Sequence, residues 1–313
     1  MGTERLIIGS RGSKLALNQT IWVKTELERN FSDLSIEVKI IKTSGDVIID
    51  APLSQIGGKG LFTKEIEEAL LDRRVHLAVH SLKDLPTQLP PGLCLAAITA
   101  REDARDALVS NRYQSLDALP AGAHIGTSSL RRQSQLLHLR RDLRILNLRG
   151  NLDTRLRKLE VDQYDGIVLA CAGLIRLGHA DRITARIPVE VLCPAIGQGA
   201  LGIEARIDNV FAIEKVKRLN HLETQLAAEA ERAFLRRLGG GCQVPIAGYA
   251  QTDDHGLRIR GVIASPDGRQ LYRDCEEARI EGPTEAEAVG RKLAERMLAA
   301  GAQTVIDAIP SRI

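Results

Sequence analysis

Aromatic residues are scarce in this chain of 313 residues: one tryptophan, four tyrosines and four phenylalanines make up 3% of it. Proteins that bind single-stranded nucleic acid stack bases on aromatic rings, and few rings are available here. The formal net charge of +3 is close to neutral, so the overall electric field does not favour a polyanionic partner. The sequence therefore predicts no nucleic-acid partner.

Long apolar runs are also absent. Stretches such as residues 167–175 fall far short of the roughly 20 apolar residues that a membrane-spanning helix needs. The N-terminal segment MGTERLIIGSRGSKLA has no basic region followed by a long apolar one, so no signal peptide is expected. We therefore expect a cytoplasmic protein with no membrane partner.

Paired cysteine motifs are missing as well. The five cysteines include no C-x-x-C spacing, which argues against zinc, iron–sulfur and thioredoxin-type sites, and no metal is expected. An odd count without a secretion signal favours reduced thiols. Cys94 and Cys171 lie in apolar, strand-like runs and are expected to be small buried hydrophobes. Cys242 differs, because it follows the glycine run 239–241 and precedes Gln243.

The chain does contain a regular alternation of short β-rich apolar segments and amphipathic helical segments, from the N-terminus to about residue 205. The predicted strands are Leu6–Gly9, Ile36–Ile41, His76–Val79, Leu93–Ile98, His124–Gly126, Arg144–Leu148 and Gly166–Ala170. The predicted helices lie near 14–30, 63–72, 129–140 and 151–160. Such alternation is typical of an α/β protein with mostly parallel sheets.

The C-terminal part changes character. A helix near 222–238 and a helix near 284–299 enclose three strand-like stretches, Gln243–Gln251, Leu257–Ala264 and Gln270–Glu276. Ser265–Gly268 favours a hairpin turn between the last two strands. We expect a separate α+β module of about 90 residues. Further upstream, the polar segment 99–103 and the glycine-rich segment 194–202 are interpreted as crossings between two lobes.

Three predicted strand-to-helix junctions share one form, a small or hydroxyl residue at the helix start with arginine beside it. They contain Arg11, Ser13, Ser129, Arg131, Arg132, Arg149 and Arg155. A helix N-terminus binds anions, because it offers unpaired N–H groups and a partial positive charge. Arginine adds a planar fork that matches carboxylate or phosphate. In open α/β sheets, ligands bind at the carboxyl ends of the strands, where these junctions fall.

Arginine is concentrated in the same region: eleven arginines and no lysine lie between Arg101 and Arg157. One phosphate does not need so many cations, whereas a ligand with many carboxylates does. Taken singly, most arginines are solvated or lie at helix ends, as we expect of Arg140, Arg141 and Arg157. The repeated junction context favours a binding role for the five junction arginines.

Asp84 lies in HSLKDLP (80–86), again after a predicted strand. Beside Lys83, such a carboxylate is either an acid/base or cation-stabilising group, or a structural ion pair or turn cap, and the spacing alone leaves both open. The glycine-rich stretch 43–62 lacks the spacing of a nucleotide phosphate loop. It is interpreted as a mobile loop that closes over a site, with an ordinary surface connection as the alternative.

The residues alone predict two α/β lobes around a polyanion-binding cleft, and a third domain with a thiol on a glycine loop. Such a thiol is a nucleophile or a covalent anchor. No histidine neighbours Cys242 in sequence, so a Cys–His hydrolase is unsupported. A two-lobed binding protein for an organic anion, with Cys242 incidental, is a second hypothesis. An arginine-rich RNA-binding protein is a third, disfavoured by the near-neutral charge and few aromatics.

Taken together, the motifs resemble the porphobilinogen deaminase family over essentially the whole chain. In order they are GSRGSKLAL (9–17), TSGD (43–46), GGKGLF (57–62), HSLKDLP (80–86), REDARDA (101–107), GTSSLRR (126–132), LRGNLDTRL (148–156), LACAGLIRLG (169–178), PAIGQGALGIE (194–204) and GGCQVPI (240–246). Each motif alone is weakly informative, but their order and spacing are highly specific.

The resemblance implies an α/β fold of three domains. Two are doubly wound lobes like those of two-lobed periplasmic binding proteins, and the third is a small α+β C-terminal domain. We expect residues 1–99 and 200–218 to form the catalytic lobe, with a mobile loop at 43–62. Residues 100–199 would form an arginine-rich lobe, and residues 219–313 would carry the cofactor cysteine. A monomer is expected.

The resemblance also implies a reaction. Four porphobilinogen molecules would be condensed head to tail, with release of ammonia, into the linear tetrapyrrole hydroxymethylbilane, a step of heme and porphyrin biosynthesis. A dipyrromethane cofactor, joined to Cys242 by a thioether, would prime the chain. Each pyrrole carries an acetate and a propionate, so two carboxylates are added per step, which gives the arginine excess a purpose.

Individual roles follow from the same resemblance. Asp84 matches the catalytic aspartate. Cofactor carboxylates would be held by Lys83, Ser13, Ser129, Arg131, Arg132 and Arg155. Arg11, Arg149 and Arg176 would hold the incoming substrate or the elongating chain. Lys59 and Phe62 would belong to the lid, and Gln55 stands where the family often has a lysine.

Overall fold

A computed structural model describes residues 4–47, 60–239 and 244–308. The predicted anchor Cys242, the predicted lid residue Lys59 and the neighbouring Gln55 lie outside these ranges. The candidate site is therefore built below from the remaining predicted residues, all of which are described.

The strands are β1 (Glu4–Ser10), β2 (Leu34–Ile40), β3 (Leu77–Ser81), β4 (Leu93–Ile98), β5 (Asp106–Val109), β6 (His124–Gly126), β7 (Arg144–Leu146), β8 (Gly166–Ala170), β9 (Ala185–Ile187), β10 (Leu201–Arg206), β11 (Ile246–Asp253), β12 (Gly256–Ala264) and β13 (Leu271–Ala278). The helices are α1 (Lys14–Asn30), α2 (Ser44–Val47), α3 (Lys64–Leu71), α4 (Leu130–Leu139), α5 (Leu152–Glu160), α6 (Cys171–Arg176), α7 (Val210–Val216), α8 (Leu222–Arg237), α9 (Pro283–Met297) and α10 (Gln303–Asp307). A single 3-10 turn, Leu82–Asp84, follows β3 directly.

The first ten strands form two five-stranded sheets with the same topology, in the orders β2-β1-β3-β10-β4 and β7-β6-β8-β5-β9. In the first sheet, β1 is parallel to β2 and β3, while β10 is antiparallel to β3 and β4. In the second, β6 is parallel to β7 and β8, while β5 is antiparallel to β8 and β9. Each sheet thus receives one antiparallel strand directly after the chain has crossed from the other sheet. We call the two sheets with their helices the first lobe and the second lobe.

The first lobe has helices on both faces of its sheet. Leu77 and Val79 of β3 pack with Val23 of α1, whereas Ala78 between them packs with Leu70 of α3. Because successive residues of a strand point to opposite faces, α1 and α3 cover opposite sides of the sheet. The strand is apolar on both faces for this reason.

The second lobe repeats this arrangement. Leu108 of β5 and Val168 of β8 pack with Leu136 of α4. Their strand neighbours Val109 and Ile167 lie on the other face, in a cluster that includes residues of α5 and α6. Both lobes are therefore doubly wound, as the alternation of segments predicts.

The C-terminal unit is an antiparallel sheet, β11-β12-β13, covered on one face by α8 and α9. Phe234 of α8 and Leu293 of α9 belong to its core together with Ile259 of β12. The other face of the sheet packs against the chain that leads back to the first lobe, through contacts of Ala247 and Val262 with Cys193.

The predicted hairpin turn at Ser265–Gly268 is present and lies on α4. Gly268 has φ +69, and a Cβ at this position would come within 2.6 Å of Ser134 O. Gly268 O accepts a hydrogen bond from His138 Nδ1 at 2.9 Å. Glycine thus lets the C-terminal unit touch the helix that begins with the arginine pair of the second lobe.

The predicted fold class is confirmed, since two doubly wound lobes and a smaller α+β unit are all present. The patterns did not predict β5, β9, β10, α6 or α7. The crossing strand β10 was hidden because its glycine-rich approach, 194–202, favoured a bend over a strand. Cys171 is buried as expected, whereas Cys94 is only half-buried, because β4 is an edge strand.

Candidate active site

The switch points of the two sheets define the place where a ligand is expected. In each sheet the chain order reverses beside the central strand, between β1 and β3 in the first lobe and between β6 and β8 in the second. Ligands of doubly wound sheets bind outside the carboxyl ends of strands at such points. We call these strand ends, with the helix starts that follow them, the strand-end site.

Two neighbouring side chains of the first lobe, Lys83 and Asp84, lie at the strand-end site. Asp84, in the turn after β3, is exposed. Burial lowers the pKa of the neighbouring Lys83 to about 8, with Asp84 opposing the shift and Arg132 adding to it. The amide N–H of Leu82 donates to Ala200 O at 3.0 Å, which joins the turn to the chain entering β10. An exposed carboxylate thus lies beside a half-buried cation.

The loop after Asp84 is held from the C-terminal unit. Arg232 of α8, which is 6% exposed, donates through Nη2 to Pro86 O at 2.7 Å and through Nη1 to Leu85 O at 3.4 Å. These bonds connect the loop after Asp84 to α8, the helix that precedes Cys242 in the sequence.

Two predicted residues lie at the start of α1. The hydroxyl of Ser13 caps the helix and accepts a hydrogen bond from Ala16 N at 3.3 Å. The guanidinium carbon of Arg11 lies 4.1 Å from the ring centroid of Phe62, a cation–π contact. The predicted substrate arginine and the predicted lid phenylalanine are therefore in contact.

The second lobe contributes the arginine pair. Ser129 caps α4 by accepting from Arg132 N at 3.4 Å. Arg131 and Arg132 are 5% and 6% exposed, and both guanidinium groups contact Asp106 at the start of β5. The arginines hold the pKa of Asp106 well below its usual range, because their charges outweigh the effect of its burial. The sequence analysis predicted both arginines but not their partner.

Arg149 and Arg155 flank the start of α5. Asn151 caps this helix by accepting from Thr154 N at 2.9 Å, and Arg155 Nε donates to Gly150 O at 2.9 Å. Burial, together with the nearby charges of Arg132 and Arg149, lowers the pKa of Arg155 to about 10. Burial also lowers the pKa of Arg149.

Arg176 lies farther along, at the end of α6. Its Nη2 donates to Gly199 O at 2.7 Å, in the segment that leads into β10. Burial lowers its pKa, and the carboxylate of Glu102 opposes that effect. Gly199 has φ +94, and a Cβ there would lie 2.3 Å from Glu102 O, so the two crossing segments touch only because this residue is glycine.

Buried polar residues that were not predicted from the sequence lie in the crossing segments and on α8 beside them. Glu231 of α8 is fully buried, accepts from Gly197 N at 2.6 Å and from Ala250 N at 2.8 Å, and lies 2.9 Å from Arg101 Nη2. Gln198 Nε2 donates to Asp106 Oδ1 at 2.9 Å. The sequence carried one signal for such residues, a charged residue next to an apolar run. Asp106 at the start of β5, followed by Ala107, Leu108 and Val109, is an example.

The charges of the site fit a ligand with several carboxylates. Arg131 and Arg132 are buried, the half-buried Arg155 lies near enough to feel the charge of Arg132, and Asp106 supplies one negative charge for the first two. Arg131 Nε is buried without a hydrogen-bond partner among the described residues. A dipyrromethane, which carries acetate and propionate groups, is the kind of cofactor that such an excess of guanidinium groups accommodates.

Within the described parts of the chain, no group of three or more His, Cys, Asp and Glu side chains is arranged to hold a metal ion. No described helix is both long enough and apolar enough to span a membrane.

Comparisons with known proteins cover nearly the whole chain. A family model described as "Porphobilinogen deaminase, dipyromethane cofactor binding domain" matches residues 6–214, and one described as "Porphobilinogen deaminase, C-terminal domain" matches residues 225–299. Among solved structures, the methionine binding protein MetQ is 13% identical, with a TM-score of 0.46 over 71% of this chain and 90% of that one.

Curated relatives carry the same family name. The porphobilinogen deaminase of Syntrophomonas wolfei is 50% identical over 96% of this chain and 97% of its own length. That of Syntrophotalea carbinolica is 52% identical over 99% of this chain and 97% of its own. With both family models matched in order and half of all residues shared over the full length, the chain belongs to the porphobilinogen deaminase family, whose members are enzymes of tetrapyrrole biosynthesis.

Proposed function

We propose that this chain condenses four porphobilinogen molecules head to tail into hydroxymethylbilane, with release of ammonia, from a dipyrromethane held on Cys242. The observation that carries the proposal is the strand-end site itself, an exposed Asp84 beside an enclosed excess of guanidinium groups. The substrate and every intermediate chain carry carboxylates, so one site serves both anchoring and chemistry.

Each condensation step breaks one bond and forms another. The amine of porphobilinogen, protonated to the ammonium form, leaves as ammonia when the aminomethyl C–N bond breaks, which produces a positively charged azafulvene. A C–C bond then forms to the free α-carbon of the terminal pyrrole, and that carbon loses its proton. When bound, the dipyrromethane supplies the first such α-carbon.

Asp84 is the proposed catalytic residue. Its carboxylate stabilises the positive charge that develops as the amine leaves, and its oxygens accept hydrogen bonds from pyrrole N–H groups. Its exposure supports this role, because a buried or fully paired carboxylate would not reach a substrate. The bonds of Arg232 to the loop after it fix the position of the turn.

The cofactor carboxylates are held by Lys83, Ser13, Ser129, Arg131, Arg132 and Arg155 in this proposal. Ser13 and Ser129 lie at helix N-termini, where backbone N–H groups favour anions. The enclosed cations supply charge that water does not screen, so each carboxylate contact is stronger than at the surface.

Arg11, Arg149 and Arg176 are the proposed contacts for the incoming substrate and the growing chain. The stacking of Arg11 on Phe62 supports a link between this group and a lid that includes Phe62 and Lys59. The contact of Arg176 with Gly199 supports a position beside the crossing segments, where a longer chain would extend.

The proposed domains follow the sheets: residues 1–99 and 200–218, residues 100–199, and residues 219–313. The ends of β4 at Ile98 and the start of β10 at Leu201 agree with the first two boundaries. We further propose that the protein acts as a monomer in the cytoplasm, since its substrate is a small water-soluble molecule.

The experiment that tests the function is the intact mass of the purified chain, measured beside Cys242→Ser and, as a matched control, Cys275→Ser, which changes an exposed thiol. The parent and Cys275→Ser are expected to be heavier than their sequences by two pyrrole units, and Cys242→Ser is not. If none of the three carries an adduct, even after incubation with porphobilinogen, Cys242 is not the anchor and the proposal fails.

A further inference from the structure

Among the described residues, Asp106 is the carboxylate that contacts both arginines of the second-lobe pair. It is the first residue of β5 and is fully buried. Arg131 donates to it through Nη1 at 2.7 Å and Nη2 at 3.3 Å. Arg132 donates through Nε at 3.0 Å and Nη2 at 2.7 Å. Gln198 adds a fifth hydrogen bond through Nε2 at 2.9 Å.

The fold does not require a carboxylate at this place. In the first lobe, which has the same strand order, the corresponding crossing strand begins with Leu201, opposite Ser81 of β3. In the second lobe, Asp106 lies opposite Ala170 of β8. The crossing strand therefore begins with an apolar residue in the first-lobe sheet and with a buried carboxylate in the second-lobe sheet. Strand pairing alone does not account for Asp106.

The contacts fix the orientation of both guanidinium groups. Arg132 uses two nitrogens on Asp106 and its third, Nη1, on Val168 O at 3.0 Å. Nη1 of Arg131, which donates to Asp106, also donates to Cys193 O at 2.7 Å. Long side chains that are already ordered lose little entropy when a ligand binds. A pair held in this way is preorganised for a carboxylate.

Asp106 also connects the pair to the second crossing segment. Gln198 lies just before β10 and donates both to Asp106 and to Ala104 O, the latter at 2.7 Å. The residues that lead into β5 and into β10 are thereby joined at the carboxylate that orients the arginines. A change in the angle between the lobes would act on the arginine pair through this connection.

We infer that Asp106 is a positioning residue for cofactor assembly: it holds Arg131 and Arg132 in the orientation in which they receive a dipyrromethane carboxylate. The inference rests on the proposed role of these arginines. In this inference Asp106 acts through the two arginines, and its single charge leaves the pair with a net positive charge.

The test uses full-length chain produced without a supply of porphobilinogen, and follows by intact mass how fast porphobilinogen installs the two-pyrrole adduct. For Asp106→Asn, assayed well below its unfolding temperature, we expect the porphobilinogen concentration at half-maximal loading rate to rise about tenfold or more. Asn keeps the shape but loses the charge that orients two guanidinium groups.

Two control variants separate positioning from general loss of stability. Glu204→Gln removes the equally buried carboxylate of the crossing strand in the first lobe, where it pairs with His80 at 3.1 Å. Asp103→Asn removes a carboxylate three residues upstream that pairs with Arg105 and Arg186. Both are expected to keep the parent's half-maximal concentration, and Glu204→Gln also controls for the loss of a buried charge.

The inference is overturned if Asp106→Asn loads at the parent's concentration, or if Glu204→Gln shifts as far as Asp106→Asn does. Should Asp106→Asn not fold, Asp106→Glu replaces it: positioning predicts a shift although the charge is kept, and a parent-like value overturns the inference. Arg132→Leu is measured in parallel. Normal loading by Arg132→Leu would refute the proposed role of the arginines instead, so the two failures are distinguishable.

Discussion

The first and second lobes share one strand order but differ in what their strand ends present. In the first lobe the strand ends are joined by neutral contacts, such as Gln19 Nε2 donating to Ser81 Oγ at 2.8 Å and Thr20 Oγ1 to Ser10 Oγ at 2.9 Å. In the second lobe the corresponding region is a charged network around Asp106. The same topology thus supports a carboxylate that faces solvent in one lobe and enclosed cations in the other.

The crossing strands show how this difference arises. Each contains one fully buried carboxylate, Asp106 in β5 and Glu204 in β10. Asp106 is the first residue of its strand, whereas Glu204 comes three residues after Leu201, deeper in the sheet. The topology determines where strand ends meet, and the position of one acidic residue along the strand decides whether its charge acts at the site or in the core.

The comparison assigns chemistry to the first lobe, and Asp84→Asn is its strongest test. We expect turnover to fall by about 10²–10⁴-fold, because the variant lacks the negative charge that stabilises the cation formed when the amine leaves. The two-pyrrole adduct should remain, because the cations that hold it are unchanged. Porphobilinogen consumption and intact mass measure the two effects, with the exposed Asp72→Asn as control. Near-normal turnover would remove Asp84 from the mechanism.

The comparison assigns carboxylate recognition to the second lobe, which Arg149→Leu tests at the elongation stage. We expect a loss of about tenfold in the rate of hydroxymethylbilane formation, with partly elongated chains accumulating on the protein and visible by mass. Arg157→Leu, an exposed arginine eight residues on, should behave as the parent does. Equal product formation by both variants would make Arg149 a surface residue without a role in elongation.

Lys83, which lies in the first lobe beside the cations of the second, sharpens the comparison by pH. Its pKa is lowered from 10.5 to about 8 in the folded chain, so raising the pH from 7 to 9 removes most of its charge. Loading of cofactor-free chain should slow a few-fold over this range, and should slow less in Lys83→Arg, which stays charged. Identical pH profiles for the two proteins would contradict this assignment.

Whereas loading slows as the pH rises, the free energy of unfolding should increase with pH between about 8 and 10.5. Between about 8 and 10.5 the unfolded chain binds the proton of Lys83 more tightly than the folded chain does. The contribution of this group to the free energy of unfolding therefore rises with pH across that window. Urea unfolding of the parent and of Lys83→Met at several pH values measures the difference, which vanishes if Lys83 is not enclosed.

Much of this architecture was predictable because it depends on local patterns. The alternation of segments predicted both lobes, and the hydroxyl residues expected at helix starts are the caps Ser13 and Ser129. The arginines followed from their place at those junctions. Such signals lie within a few residues of one another.

The partners of those residues were not predictable, because they come from distant parts of the chain. Gln198 is 92 residues from Asp106, and Glu204 is 124 residues from His80. No periodicity connects positions so far apart. The crossing strands were missed for a related reason, since β5 has only four residues and its first is a charge that local patterns treat as a break.

The strand order has a consequence for how the protein is made on the ribosome. All strands of the second-lobe sheet lie between Asp106 and Ile187, so that sheet can pair as soon as this segment emerges. The first-lobe sheet cannot, because among the described strands β4 pairs with β10 alone, and β10 begins at Leu201. At about 5–20 residues per second, β10 is synthesised about 5–20 seconds after β4. Of the two lobes, the N-terminal one is thus begun first and completed last.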